Sequence, residues 1–316
     1  MTTPANTTST YDAVGNREDL SDVIYDISPT ETPFLSGISR VPATATNHEW
    51  QTDDIGTASA TNAVIEGNDA TTTAATASVR LGNYTQISDK VPRVTRTQRQ
   101  VNSAGRGDEL DYQIMKMSKL LKNDMESALL ANKVKAAGSE SVARELAGIE
   151  SWLATNADLG TGGVAGSLGT TARVSGTDRA LAESQLKAVL SSCYDEGGNP
   201  DTIFVNAFNK QAMSAFVGGG TSGPAQRTVT GSRVETAIDI YVSDFGSLAV
   251  LPSRHMVTES MLVLEMDMFA IASLAEFEET PLAKTGDSDR VQILSEYTLE
   301  SRNEKSSGIV SDLNAA

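Results

Sequence analysis

One cysteine and two histidines are the only thiol and imidazole groups among the 316 residues. A single cysteine excludes a disulfide scaffold and a four-cysteine zinc site. Two histidines leave little for a histidine-rich metal centre or a proton relay. Cations are also scarce: 25 Lys and Arg against 41 Asp and Glu give a formal charge of −16. Phosphate contacts need Lys and Arg, so general nucleic-acid binding is disfavoured. Aromatic residues are 5% of the chain. No apolar run approaches the ~20 residues that cross a bilayer. The most apolar stretch, residues 261–275, is interrupted by Glu265 and Asp267. The opening MTTPANTTSTYDAVG has no basic region and no apolar core, so no signal peptide is read there. A soluble protein made in a reducing cytoplasm is the expectation. Cys193 follows Ala188, Val189 and Leu190, and reads as a packed, inert thiol.

The signatures of catalysis are missing too. His48 precedes Glu49, but no second histidine lies one helical turn away, and His255 stands alone beside Arg254. The glycine-rich stretch 160–166 follows a predicted helix and opens none, so it is not a dinucleotide loop. There is no phosphate loop and no nucleophile elbow. Asp53-Asp54, Glu278-Glu279 and the trio Lys116, Lys119 and Lys122 read as solvated surface. No catalytic, cofactor-binding or metal-binding residue is assigned, no cofactor is expected, and the chain reads as a non-enzyme.

What is present is a distinctive order of segments. Residues 1–15 are small and polar and predict a mobile or partner-ordered arm. Leu20, Val23, Ile24 and Ile27 share one face at helical spacing, ending at Ser28-Pro29. Residues 46–100 read as extended, with Trp50, Thr52 and Ile55 on one strand. Val79, Leu81, Tyr84, Ile87, Val91 and Val94 lie on a second, long or bent one, with Gly82 as a bulge. Between them, residues 57–78 are nearly all Thr, Ala, Ser and Asn, with Val64 and Ile65 the only large aliphatics. Such a segment builds no core of its own and reads either as a disordered loop or as a long two-stranded arm ordered on another subunit, the arm being the reading that a family resemblance favours.

Residues 108–136 give the clearest helix. Leu110, Ile114, Met117, Leu121 and Met125 recur at steps of three and four and are the expected core stripe. Acids at its start and Lys133 and Lys135 at its end suit the helix dipole, and Gly138 is the expected stop. At 1.5 Å per residue this is a rod of roughly 40 Å. Residues 140–260 read as an α/β region. Its predicted helices cover 143–157, 177–194 and 208–217, with strands around 202–205 and 234–251. Residues 261–278 then read as two strands, 283–287 as a turn and 291–303 as one long alternating strand.

Three stretches carry a family resemblance: DLSDVIYDISPTETPFLSGI at 19–38, YVSDFGSLAVLPSR at 241–254 and KTGDSDRVQILSEYTLESRNEKSSGIV at 284–310. With the segment order, they resemble the major capsid protein of tailed bacteriophages with the Hong Kong ninety-seven type of fold. The resemblance implies an α+β fold in five parts. These are an N-terminal arm and first helices (1–45), an extended β-hairpin loop (46–100), a spine helix of the peripheral domain (101–147), an α/β axial domain (148–257) and peripheral closing strands (258–316). It implies pentamers and hexamers forming an icosahedral head shell around double-stranded DNA, held without sequence-specific binding and without a membrane. Further implied partners are separate scaffolding, portal and decoration proteins. The implied location is the virion, after assembly in the host cytoplasm. Val64, Ile65 and Glu66 become the inter-subunit contact of the arm. Lys90 is the only lysine in the extended loop, and no motif marks it for covalent cross-linking. The alternative is another phage structural subunit, of a tail tube, fibre or surface array.

Overall fold

The computed structural model describes residues 31–56, 58–69, 77–101, 107–216 and 239–315. The expected N-terminal arm, the predicted helix at 17–27, the loop at 218–231 and the start of the strand at 234 lie outside the described residues. In chain order the first elements are α1 (Pro33–Gly37), β1 (Ser39–Pro42), β2 (Asn47–Thr52), β3 (Val79–Tyr84), β4 (Gln86–Lys90), β5 (Arg93–Thr95), α2 (Arg96–Gln100) and the spine helix α3 (Glu109–Leu130). There follow α4 (Ile149–Trp152), β6 (Ala157–Asp158), α5 (Glu183–Asp195), β7 (Thr202–Val205), α6 (Ala207–Met213), β8 (Ile240–Ser243) and β9 (Gly246–Pro252). The chain closes with β10 (Met261–Leu264), β11 (Phe269–Pro281), β12 (Ser288–Ser301) and β13 (Gly308–Val310).

Two main sheets organise these elements. The first runs β1-β11-β12-β4, with β5 also paired to β12. Its centre is the long hairpin β11–β12, whose register shifts between Ser273 and Ala275 and again between Ala275 and Glu278. Bulges bend a strand and sharpen its twist, and here they fall where the pairing with β1 ends, at Ser273. The expected alternation on β12 holds from 292 to 297, where Ile293, Ser295 and Tyr297 are buried and Gln292, Leu294 and Glu296 only partly covered. Beyond it Thr298, Leu299 and Glu300 are all buried, so both faces of the strand's end are covered, and Val291 is only partly covered. The second sheet runs β6-β13-β10-β7-β9-β8. It draws β10 and β13 from beyond residue 258 into the sheet of β7, β8 and β9. The sequence-based boundary at 257/258 therefore cuts through a sheet, because β10 pairs with β7 on one side and β13 on the other.

The spine helix is shorter than its pattern predicts: 22 residues, or about 33 Å at 1.5 Å per residue. Asp108 caps it by accepting from Leu110 N at 2.8 Å, and Glu109 and Asp111 occupy the first turn. It stops at Leu130 instead of running to Gly138. The backbone beyond is recruited by 145–148: Ala136 pairs with Glu145, and Gly148 N donates to Lys133 O. A side chain at Gly148 would sit 2.0 Å from Ala131 O, so only glycine allows this close crossing. Of the predicted stripe, Leu110, Leu121 and Met125 are buried, whereas Ile114 and Met117 are only half-buried. The core contact belongs to the C-terminal half, where Leu129 and Leu130 join Leu121 and Met125. Leu121→Ala should therefore cost about 2–5 kcal/mol, and Ile114→Ala no more than about 1 kcal/mol. Thermal melts of the two variants check that contrast.

Two other predicted helices shrink for a similar reason. Only Ile149–Trp152 is helical within 143–157. The flanking amides bond elsewhere: Ala147 N to the Asn83 side chain, and Ala154 N and Thr155 N to Glu304. The helix predicted from 177 begins at Glu183, because Arg179 is drawn into backbone bonds with Asp312 and Asn314.

One buried carboxylate joins α1 to the spine. Glu126 has no exposed surface; its Oε1 accepts from Phe34 N at 3.0 Å and its Oε2 from Leu35 N at 2.7 Å. Burial pushes this carboxyl above its ordinary range, and the two amide bonds oppose the shift. Gln in its place would turn an NH2 toward one of the two amides. Glu126→Gln should cost about 1–3 kcal/mol, seen as a lowered melting temperature and as faster hydrogen exchange at 33–37.

Candidate inter-subunit site

The hairpin of β2 and β3 is firmly rooted and its tip is bare. At the root the strands pair in continuous register from Asn47–Tyr84 to Thr52–Val79. Gly82 is therefore an ordinary paired position opposite Glu49 and not the expected bulge. Trp50 lies over the buried Trp152, with ring centroids 5.3 Å apart. His48 Nε2 is 2.8 Å from Glu300 Oε2. The buried Asn83 clamps both neighbours: its Nδ2 donates to Ala147 O at 3.2 Å and Leu299 O at 2.9 Å, and its Oδ1 accepts from Ala147 N at 2.9 Å. Lys135 adds a bond from Nζ to Gly82 O at 2.6 Å and lies 5.7 Å from the Trp152 ring centroid. Burial lowers the Lys135 pKa, and Glu49 acts against that.

Beyond Thr52 the strands end. Ile55 is completely exposed, off the strand on which it was predicted. Residues 58–69 carry turns and no strand, so among the described residues the two-stranded arm is confined to its root. Val64 is 77% exposed and Ile65 83%, with Glu66 exposed beside them. Between hairpin and body lies a cavity of about 480 Å³, walled by Ile55, Val79, Leu81 and Leu168, with Asp54 and Lys305 among its polar residues. β8 is the edge of the second sheet. Ile240 and Val242 are exposed on it, and Tyr194 and Phe245 stack nearby at 4.8 Å.

Most residues that fix this arrangement were silent in the sequence. Asn83, Glu126, Glu150, Arg173, Glu304 and Asp312 meet partners 23 to 216 positions away. No local spacing could have paired them. The side chains weighed for chemistry are in structural surroundings. Cys193 is buried, and burial pushes its thiol up to about 12. His48 is engaged with Glu300, and Lys116, Lys119, Lys122, Asp53, Asp54, Glu278 and Glu279 are exposed. Among the described residues no group of three or more His, Cys, Asp or Glu is placed to hold a metal ion, and no helix is long and apolar enough to cross a membrane.

A bent long hairpin, a spine helix laid on it, a second sheet continuous with its far end and a rooted projecting loop define the α+β fold of phage capsid proteins of the Hong Kong ninety-seven type. Solved structures share it over nearly the full chain. A Microbacterium phage Oxtober96 chain superposes with a TM-score of 0.64 at 11% identity, covering 97% of this chain and 99% of that one. The capsid chain of the native GTA particle gives 0.64 at 14% identity, with the same coverage. The Cyanophage A-1(L) capsid chain gives 0.63 at 14%, covering 98% and 99%. The SU10 major capsid protein family model matches residues 3–314, so the chain belongs to that family. It is also 35% identical over 125 residues to the major capsid protein of Escherichia phage Phieco32. That match covers 40% of this chain and 36% of the relative, so it spans about a third of the relative's length.

Proposed function

We propose that copies of this chain join as pentamers and hexamers into the icosahedral head shell of a tailed phage, enclosing its double-stranded DNA. The observation that carries the reading beyond family membership is the hairpin. Its root is tied to the body by Trp50, Asn83, His48 and Lys135, while Ile55, Val64 and Ile65 are largely exposed among the described residues. A rigid base with a bare apolar tip suits exchange of contacts between copies. The first sheet, α3 and the hairpin form the peripheral part, and the second sheet with its β8 edge forms the axial part, where copies converge. Val64, Ile65 and Glu66 are the contact of the arm with a neighbour. The charge of −16 keeps the wall from adhering to polyanionic DNA. Scaffolding, portal and decoration functions fall to separate proteins, assembly takes place in the host cytoplasm, and the subunit performs no catalysis.

The test is expression of the chain alone, with electron microscopy of the high-mass fraction. Closed isometric particles, or rings of five and six, are expected. Tubes or flat lattices would overturn the shell reading in favour of a tail or surface-array subunit. If only monomer is recovered, co-expression with the neighbouring phage genes follows, and a continued absence of shells would also overturn it.

A further inference from the structure

Two aromatic rings stand uncovered at one end of the second sheet. Tyr194 is 61% exposed and Phe245 40%, and they stack on each other with ring centroids 4.8 Å apart. Tyr194 lies in the last turn of α5, and Phe245 in the turn that joins β8 to β9. That turn is pinned: Ser243 Oγ donates to Gly246 O at 2.9 Å and accepts from Phe245 N at 3.3 Å. Exposed rings held this firmly make good anchors for a protein contact, since they lose little side-chain freedom on binding. Two carboxylates flank them. Asp195 ends α5 and Asp244 precedes Phe245; both are exposed, and neither has a cation within ion-pair distance among the described residues. A helix C-terminus disfavours an anion, and the last turn of α5 holds no basic residue to offset Asp195. Ring faces and unmatched carboxylates together call for a cation, which an aromatic face attracts within about 6 Å of its centroid.

The chain carries such a cation at the other end of the same strand. Among the described residues from 148 to 257, Arg173, Arg179, Lys187 and Lys210 each lie within ion-pair distance of a carboxylate. Arg254 is exposed two residues past β9 and has no such partner among them. Leu251 and Pro252, also exposed, add apolar surface beside it. A guanidinium can stack on a ring and bond a carboxylate at once, which an ammonium does less well. Within one subunit the two patches cannot meet. β9 is 7 residues long, about 23 Å at 3.3 Å per residue, and it separates Phe245 from Arg254. Complementary patches at opposite ends of one sheet make a head-to-tail contact, which repeats from copy to copy around a ring.

We infer, on the reading that copies form rings of five and six, that the Tyr194–Phe245 stack of one subunit receives Arg254 of the next, with its guanidinium over the rings and beside Asp195 and Asp244. The test uses the full chain carrying Arg254→Lys, which keeps the charge and offers an amine to a zero-length carbodiimide. The expected product in rings or particles is an amide between position 254 and Asp195 or Asp244, the carbodiimide taking up the water released. Mass spectrometry of the linked peptides identifies it, and the length of β9 requires that it join two copies. Particles that form without this linkage overturn the contact and leave the shell reading standing. A parent chain that forms no ring or particle, alone or with its neighbouring genes, overturns the shell reading and the contact with it. A second measurement needs no cross-linker. Arg254→Glu should lower the yield of rings and particles roughly tenfold or more, the scale of one lost anchor, with an unchanged melt. Adding Asp244→Arg should restore most of that yield. Parental yield from Arg254→Glu, or no recovery in the double variant, overturns the contact as well.

Discussion

Deleting residues 58–77 should leave a folded subunit that no longer forms shells. The excised residues include Val64 and Ile65, both largely exposed, and none of the described ones is buried. The remaining loop, residues 53–57 and 78, rejoins the paired ends Thr52 and Val79. Trp50, Leu81 and Asn83 keep their places, so the melting temperature should stay within a few degrees of that of the intact chain, as expected when only exposed surface is lost. Assembly is another matter. If the arm carries contacts shared among neighbours, each subunit loses several at once, and the yield of particles should fall below detection by sedimentation and electron microscopy. Particles of normal shape and stability from the deleted chain would remove the arm from the assembly mechanism. A single substitution refines the test: Ile65→Asp should reduce particle yield with no change in the melt.

Arg173→Met should be the most destabilising single substitution in the molecule. Arg173 is the lone cation among three carboxylates. Its Nη1 donates to Asp312 Oδ1 at 2.8 Å, its Nε to Glu150 Oε2 at 3.2 Å, and its Nη2 lies 3.7 Å from Glu259 Oε2. The side chains of Glu150 and Asp312 have no exposed surface. Arg173 N and O also meet the side-chain amide of Asn132, just past the end of the spine helix. Asp312 Oδ2 meanwhile accepts from Gly160 N at 2.8 Å. The cluster thus ties α3 and α4 to the C-terminal end of the second sheet. Removing the cation strands two buried charges, a loss of about 3–5 kcal/mol. At roughly 2–4 °C per kcal/mol for a chain of this size, the melting temperature should drop by about 10 °C or more.

The loss should also depend on pH, with a definite sign. Burial raises the Glu150 pKa in the folded protein, and Arg173 acts against that rise. A carboxyl whose folded value lies above its unfolded value favours the folded state most when protonated. Stability then declines as pH rises from the unfolded value toward the folded one. Without Arg173 the folded value climbs further and the window widens. The deficit of Arg173→Met relative to the parent should therefore be larger at pH 8 than at pH 5. Adding Glu150→Gln should recover part of it at pH 8. Equal deficits at both pH values would show that Glu150 does not carry the loss.

Periodicity by itself determined the elements that answer to one local pattern. The alternation of Ile293, Ser295, Tyr297 and Leu299 made β12 legible, the turn at 283–287 closed its hairpin, and the run from Leu110 to Met125 announced the spine helix. Family-specific stretches at both ends announced the α+β capsid fold, which the structure and the family match bear out. Tertiary structure alone decided where helices stop and which strands share a sheet. The spine ends at Leu130 because residues 145–148 compete for its next backbone groups. The second sheet takes β10 and β13 from the closing segment because each finds a partner there that no neighbour in sequence supplies. Ile114 and Met117 fit the stripe but not the core, since of this helix only Met125, Leu129 and Leu130 join the main hydrophobic cluster. Arg173, Glu126 and Asn83 were invisible for the same reason: a buried polar group is explained by the partner it meets, and theirs are distant in the chain. A repeat along the sequence records which face of an element is apolar. What that face touches, and which buried charge is matched, is set by contacts the chain makes only once it has closed on itself.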